Sequence, residues 1–203
     1  MTRALLPSGL LALLLLAGGC SPLVQIGGNA PRPAELYTLS ATSPAAVPAA
    51  VSPVNMKTAV SVGLPTVPGA LQTLRIPVTV SDTAVQYMKA AQWSEQPNRL
   101  FQRLLADTLV HAGQAIIDSR SVGISGGQQL SGQLMEFGVD VRGGAPQVRV
   151  RYDATLSGPA GVRQRRFERS VPVAAVEGPA VADALNRAAN AVAGDVAGWL
   201  ATG

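Results

Sequence analysis

The chain has 203 residues, of which 47% are hydrophobic, 14% are charged and 4% are aromatic. This length and composition fit one globular domain with a substantial core and exclude a disordered chain. The formal net charge of +4 is only mildly basic, and no aromatic residues are interleaved with basic runs, so the sequence argues against nucleic-acid binding.

The N-terminus has the three parts of a secretory signal. Arg3 is the only charge in the first nineteen residues, an apolar run covers residues 10–17, and small residues precede Cys20. The run is shorter than the ~20 apolar residues of a membrane-spanning helix. The stretch LLLLAGGCS resembles a bacterial lipobox, with Ala17 where leucine is usual. It predicts a signal peptide over residues 1–19 and a lipid on the Cys20 sulfur; ordinary cleavage nearby and a retained helix are the alternatives.

Residues 20–35 are predicted to be a tether, because they are rich in glycine and proline. Extended at ~3.3 Å per residue, such a segment reaches roughly 50 Å from a bilayer. Ser21 follows the cysteine, where enterobacterial-type sorting uses an aspartate to retain a lipoprotein in the inner membrane. We therefore expect a lipid anchor in the outer membrane that faces the periplasm, and an inner-membrane location is the less favoured alternative.

Residues 36–203 are predicted to form a single periplasmic domain. A short strand over residues 36–40 is followed by a loop rich in proline and alanine over residues 41–55. Two β-prone segments come next, at residues 58–64 and 74–80. Pro77 makes the second of these an edge strand or a bulged strand, since proline cannot donate to a strand ladder.

Two amphipathic helices are predicted. The first is capped near Ser94, has Pro97 in its first turn and ends at Gly113. The second covers residues 179–200 and carries an apolar stripe at helical spacing.

A short strand at residues 114–118 and a β-meander are predicted between the two helices. The meander strands cover residues 128–141, 146–157 and 162–173, and the turn sequences RGGA and GPAG separate them. In the first of these strands, Met135, Phe137 and Val139 are expected to face the core. The predicted fold is α+β: an antiparallel-rich sheet with two amphipathic helices packed on one face, after a cleaved lipoprotein signal.

Residues of catalytic or metal-binding type are few. His111 is the only histidine, at the end of the first predicted helix, where the helix dipole favours it. A hydrolytic triad would need it beside a nucleophilic serine, but the sequence has no GxSxG elbow and no HExxH, CxxC, GxGxxG or Walker A segment. We therefore predict that the protein is not an enzyme and has no cofactor and no metal site.

An arginine cluster is the most distinctive charged feature. Seven arginines and two acidic residues lie between Arg142 and Arg169. The cluster is either the solvated face of an exposed sheet or a docking surface for an acidic partner or lipid headgroups, for which the bidentate guanidinium is suited. The candidate docking residues are Arg149, Arg151, Arg163, Arg165 and Arg166.

The order of these elements is similar to that of a known family. A YTL strand, the segment VSVGLPTVPGALQTLRIPVTV, Tyr87 and Trp93 before the first helix, and the later LMEFGVDV and VRVRYDATLSGPAG resemble the ABC-type transport auxiliary lipoprotein family. The resemblance covers roughly residues 36–200. Gln72 and Thr73 depart from it, because a charged pair often stands there, and the proline-rich insert is unusual.

The resemblance implies a role in transport and no reaction. It implies a lipid-anchored auxiliary subunit that works with an MCE-domain protein, an ABC permease and an ATPase to move lipids or other hydrophobic molecules between membranes. The alternative is a structural or assembly lipoprotein that accompanies an outer-membrane protein.

Overall fold

The computed structural model describes residues 35–42, 58–117 and 127–202. The predicted signal peptide, Cys20, all but the end of the tether, and most of the proline-rich loop lie outside the described residues. The elements in chain order are β1 (Glu35–Tyr37), β2 (Val60–Val62), β3 (Arg75–Ser81), β4 (Ala84–Trp93), α1 (Pro97–His111), β5 (Ile116–Ile117), β6 (Gln128–Asp140), β7 (Gln147–Gly158), β8 (Gly161–Pro172) and α2 (Gly178–Ala201).

The strands form one mixed sheet. The meander of β6, β7 and β8 is antiparallel over its whole length, as predicted. The other edge of β6 is shared by two short segments, because β2 runs parallel to its first residues and β3 runs parallel to its last. β4 is antiparallel to β3, and the short strands β1 and β5 pair in parallel with β4 and β2. The predicted α+β class is confirmed.

Both helices lie on one face of this sheet. α1 and α2 pack against each other, and α2 also packs against β7 and β8. Phe101 of α1 joins the helix layer to Tyr152 of β7, with ring centroids 5.2 Å apart. Within the sheet, Trp93 of β4 packs on Phe137 of β6 at the same distance. Each large side chain that is fully buried here stabilises the fold by about 1.5–3 kcal/mol. Among these side chains are Ile76, Leu100, Leu104, Leu109, Leu130, Leu134 and Leu185.

The ends of α1 follow the predicted signals with one correction. Pro97 is the first helical residue, where its missing N–H costs nothing. Gly113 has φ +84°, and its N–H donates to the Val110 carbonyl at 3.0 Å, which ends the helix. The cap is Gln96 and not Ser94, because the Ser94 N–H instead donates to the Tyr37 carbonyl and extends the pairing of β1 with β4.

Two irregular strands depart from simple alternation. The β3–β4 ladder is irregular at Pro77: Arg75 pairs with Gln92 and Pro77 with Tyr87, so the extra residues there lie on β4. β3 has its own extra residue between Thr79 and Ser81, so it is bulged, and it is not an edge strand, because it pairs with both β4 and β6. β6 carries a register shift after Leu134, so that Met135 is an extra residue. Because one extra residue changes the parity of a strand, the core positions are Leu134 before it and Phe137 after it, and Met135 is only half-buried. The prediction that Met135 faces the core was therefore wrong.

Two asparagines of α2 hold the segment that follows β1. The Ser40 N–H donates to Asn186 Oδ1 at 3.0 Å, and the Thr42 N–H donates to Asn190 Oδ1 at 2.8 Å. The Asn190 amide also donates to the Ser40 carbonyl at 2.9 Å. These side chains satisfy backbone groups as a neighbouring strand would, so the segment is fixed along α2.

Candidate functional site

The register of β7 and β8 divides the five candidate arginines between the two faces of the sheet. Residues directly opposite in an antiparallel pair lie on the same face. Leu156 is opposite Arg163 and Ala154 is opposite Arg165, so these two arginines lie on the face that carries the helices. Three others lie on the open face, which neither helix covers: Arg149, Arg151 and Arg166. The structure therefore does not bring the five together as one surface.

On the open face, Arg149 is the centre of an ion-pair network. Its guanidinium lies 3.2 Å from both Asp140 Oδ2 and Glu136 Oε2, and it also donates to Glu168. Arg151 bonds Glu136 at 2.8 Å. The four side chains Arg149, Arg151, Glu136 and Glu168 are between 23% and 34% exposed, which makes this network better shielded from water than a surface pair.

Asp140 is the buried carboxylate of this network. Arg142 donates to both of its oxygens, at 2.9 and 2.8 Å, and also reaches Asp82 at 2.8 Å. Hydrogen bonds from Arg142, opposed by burial and assisted by Arg149, hold the pKa of the Asp140 carboxyl well below its usual range. Sequence reasoning did not single out Asp140 or Glu136. Glu136 lies directly opposite Arg151, whereas Asp140 lies opposite Gln147 and reaches Arg149 diagonally, so the register of the β6–β7 hairpin was the available signal.

Arg166 forms a separate bidentate pair with Asp153. Its Nε and Nη2 donate to the two carboxylate oxygens at 2.6 and 2.8 Å, across the directly opposite positions of β7 and β8. The hydrogen bond from Arg166 lowers the pKa of Asp153. Because Arg166 is mostly exposed, this pair contributes little to stability, although it fixes both side chains.

On the helix face, the arginines of β8 contact aromatic rings and α2. The Arg163 guanidinium carbon lies 5.0 Å from the centroid of the Trp199 ring, and that of Arg165 lies 5.3 Å from the Phe167 ring. The two rings contact each other edge to face, with centroids 5.7 Å apart. Arg169, farther along β8, bonds Asp195 of α2 at 2.6 Å. Guanidinium groups held over rings in this way make cation–π contacts.

A shallow groove of about 680 Å³ lies beside these charges. It crosses the meander strands next to the Arg166 pair and is bordered by the segment that precedes β3. Hydroxyl, amide and charged side chains line much of it, so it can hydrogen-bond a polar ligand or the polar side chains of another protein. Its lining includes Ser131, Gln133, Asp153, Thr155, Gln164 and Arg166.

The remaining predicted features take different places. Cys20, the predicted lipidation site, lies outside the described residues, and His111 is the exposed last residue of α1. Within residues 35–42, 58–117 and 127–202, no group of three or more His, Cys, Asp or Glu side chains could hold a metal ion. In the same part of the chain, no helix is long and apolar enough to cross a bilayer.

The chain is similar to one protein family and to several solved structures. The model of the family described as "ABC-type transport auxiliary lipoprotein component" matches residues 37–197. The crystal structure of protein XCC0632 from Xanthomonas campestris has a TM-score of 0.68 and 20% identity, with 82% of this chain and 94% of that chain covered. A second crystal structure, of an uncharacterized protein, has a TM-score of 0.63 and 14% identity, with 82% and 99% covered. At these identities the two structures show a shared fold. No curated protein matches the chain.

Proposed function

The chain belongs to the family of ABC-type transport auxiliary lipoprotein components, and from this membership we propose that it is the docking subunit of a transport system that moves lipids or other hydrophobic molecules between membranes. Its proposed partners are an MCE-domain protein and the ABC permease and ATPase. The observation that carries the proposal is the match of the family model to residues 37–197, which is nearly the whole described domain.

The proposed anchor is a lipid on Cys20, which would hold the domain at the membrane. Several acyl chains on one residue anchor stably, since each buried methylene contributes about 0.8 kcal/mol. The first described strand, β1, begins at Glu35, only fifteen residues after Cys20. The domain would therefore work within a short reach of the bilayer, in a membrane-anchored envelope location that the family also indicates.

The proposed role is to bind and position, and it requires no reaction. The open face of the sheet supports it, because ion pairs fix the long side chains there before any partner arrives. Arg149 is held by Asp140, Glu136 and Glu168. A surface whose side chains are already ordered loses less conformational entropy on binding, which favours a docking role.

Capture from native membranes tests the proposed partners. The full-length chain with a C-terminal affinity tag is expressed in its own cell type, the membranes are solubilised in several mild detergents, and co-purified proteins are identified by mass spectrometry. We expect an MCE-domain protein together with the permease or the ATPase. An unrelated lipoprotein with the same tag is the control. Recovery of an outer-membrane barrel protein without these partners would instead support an assembly lipoprotein.

Membrane fractionation tests the proposed outer-membrane location. The wild-type chain is expected in the outer-membrane fraction of a sucrose gradient, and Ser21→Asp is expected to move it to the inner-membrane fraction if the cell uses the aspartate sorting rule. A control lipoprotein of known location, given the same substitution, establishes whether the rule operates. A wild-type chain in the inner-membrane fraction contradicts this part of the proposal.

A further inference from the structure

We propose that the free edge of β8 receives an extended, acidic segment of a partner protein as an added strand, held at Arg163 and Arg165. This inference rests on the proposed function, since the partner is a protein that the auxiliary subunit docks. It adds the place of contact on this chain and the chemistry of the segment that fits there.

β8 is a long outer strand, and no second described strand pairs with its outer edge. It spans twelve residues, Gly161–Pro172, and among the described strands only β7 pairs with it. The outer strands on the other side of the sheet have three residues (β1) and two residues (β5). At ~3.4 Å per residue, the β8 edge offers roughly 40 Å of backbone donors and acceptors. Such an edge is a template on which another strand can pair.

The charges of β8 leave one part of this edge without an acidic neighbour. Arg166 is bonded to Asp153 and Arg169 is bonded to Asp195. Within the described residues, Arg163 and Arg165 have no carboxylate partner, and each guanidinium lies over an aromatic ring. The two arginines alternate along β8 and therefore lie side by side on one face of the sheet.

These positions select an acidic segment with alternating side chains. In an added strand, side chains directly opposite Arg163 and Arg165 would lie about 5 Å from them and on the same face, because cross-strand neighbours have that spacing. Carboxylates at those two positions would form charge-assisted hydrogen bonds with the guanidinium groups. Backbone pairing with β8 supplies the remaining contacts, and the two arginines supply the selection for acidic residues.

A second copy of this chain does not fit the same edge. Pairing of β8 with β8 would bring two arginine-rich strands together, and like charges on adjacent strands destabilise their pairing. Arginines on an exposed edge also protect the free protein against aggregation. Arg163 and Arg165 therefore disfavour pairing with a second basic strand and favour pairing with an acidic one. Specificity arises from the repulsion as well as from the attraction.

The two arginines are positioned before a partner binds. Arg163 lies over the ring of Trp199, and Trp199 itself is only 8% exposed. Arg165 lies over Phe167, which is also buried. The guanidinium groups are thus supported by the packed joint between β8 and α2, so that less entropy is lost when a carboxylate binds.

Binding of two synthetic peptides tests the edge directly. One alternates valine with glutamate over about ten residues, the length of a strand that covers β8. The other has lysine in place of each glutamate. Each carries a fluorophore and is titrated with the purified full-length chain in detergent micelles, and anisotropy is recorded. We expect the glutamate peptide to bind and the lysine peptide not to bind. N-methylation of two adjacent residues in the middle of the peptide, one valine and one glutamate, removes a donor from both edges of the strand and should weaken binding about ten-fold or more.

Charge reversal identifies the arginines that hold the peptide. Arg163→Glu with Arg165→Glu is expected to weaken binding of the glutamate peptide by about ten-fold or more, since close charge pairs are worth at least that factor. The matched control is Arg99→Glu with Arg187→Glu, which changes the net charge equally at exposed helix positions and should alter binding by less than about two-fold. If the charge-reversed variant unfolds, Arg163→Lys with Arg165→Lys is the second variant. It keeps both charges and should retain most of the binding.

The outcomes separate this inference from the proposed function. Binding that survives N-methylation or charge reversal overturns the edge proposal, because contact would then occur elsewhere. Failure of both peptides to bind overturns it too. Phosphatidylglycerol added to the micelles is a further test: if it changes the tryptophan emission of the wild type but not that of the charge-reversed variant, the two arginines form a lipid surface and the edge proposal is overturned. In each of these cases, recovery of the MCE-domain protein by capture leaves the proposed function intact.

Discussion

The ring of Tyr152 lies over Gly132 on the helix side of the sheet, where a Cβ atom at Gly132 would stand 2.8 Å from two ring carbons and 2.3 Å from the Asp153 carbonyl oxygen. The ring cannot easily move away, because its hydroxyl donates to the Ser131 carbonyl at 3.0 Å and Phe101 packs against it. Gly132 is therefore required by close packing, and its backbone angles are not the reason.

Gly132→Ala is expected to lower the free energy of unfolding by about 1–3 kcal/mol, the usual cost of overpacking a core. Urea unfolding followed by circular dichroism measures the change. Gly194→Ala is the matched control, because a Cβ at Gly194 meets no atom within 4 Å in the exposed part of α2. That control should gain about 0.5–1 kcal/mol from helix propensity. Equal stability of the two variants would show that neither the Tyr152 ring nor the Asp153 carbonyl restricts this position.

Asp140→Asn should lower stability at neutral pH by about 2 kcal/mol, because Arg142 and Arg149 lose a buried carboxylate. The folded-state pKa of Asp140 lies below its unfolded value. Its contribution is therefore fully present above the unfolded pKa of about 3.9 and is lost as the pH falls toward the folded pKa. Thermal unfolding is measured at a series of pH values. Below about pH 4 the variant should lose less stability than the wild type does.

The control for this pH experiment is Asp183→Asn, at an exposed position of α2. Its stability should follow the wild-type pH curve, since it removes the same charge at a position on α2 and leaves the bonds of Asp140 to Arg142 and Arg149 intact. If Asp140→Asn also follows that curve, Asp140 is not the titrating group.

Asn186→Ala with Asn190→Ala is expected to release the segment after β1. The variant removes the bonds to Ser40 and Thr42, each of which contributes about 0.5–1.5 kcal/mol. Hydrogen exchange of the Ser40 and Thr42 amides should become about ten-fold faster or more. Asn98→Ala serves as the contrast, because it removes a buried bond to the Pro65 carbonyl instead. It should lower the free energy of global unfolding. Hydrogen exchange of the Ser40 and Thr42 amides should become faster only by the amount that this loss of global stability explains.

Cys20→Ala is expected to remove the lipid and to move the chain from the membrane fraction to the soluble fraction, because the sulfur is the proposed attachment atom. Mass spectrometry of the mature wild-type N-terminus should show the added acyl mass, and the variant should lack it. Ser21→Ala is the control and should keep the lipid. A Cys20→Ala chain that still carries acyl mass would refute the assignment.

Much of the architecture follows from periodic sequence signals. The long strands of the meander, both helices, and the ends of α1 at Pro97 and Gly113 agree with the prediction. β4 was not predicted, because its residues are exposed on both faces over its first half and do not alternate. The parity change at Met135 was also beyond local patterns, since a bulge depends on how β6 pairs with β7.

The candidate docking surface could likewise be predicted from the sequence only in part. Alternation along β7, which puts Val148, Val150 and Tyr152 in the core, leaves Arg149 and Arg151 on the opposite face, and this much can be read from the sequence. The faces of Arg163 and Arg165 depend on the register across the hairpin, and the two-residue turn between Gly158 and Gly161 was the available signal for it. The contact of Arg163 with Trp199 could not be predicted, since it depends on where α2 packs.

The shared edge of β6 has a consequence for how the chain acquires its structure. β2 is synthesised early, yet its residues Val60 and Val62 pair with Gln128 and Leu130, which are made much later. The β3–β4 hairpin and the meander are local and can form as they emerge, whereas β2 must wait until β6 is complete. The apolar segment of β2 therefore lacks its β6 partner for much of biosynthesis. We expect variants with a destabilised β6 to aggregate through this unpaired strand before the sheet is complete.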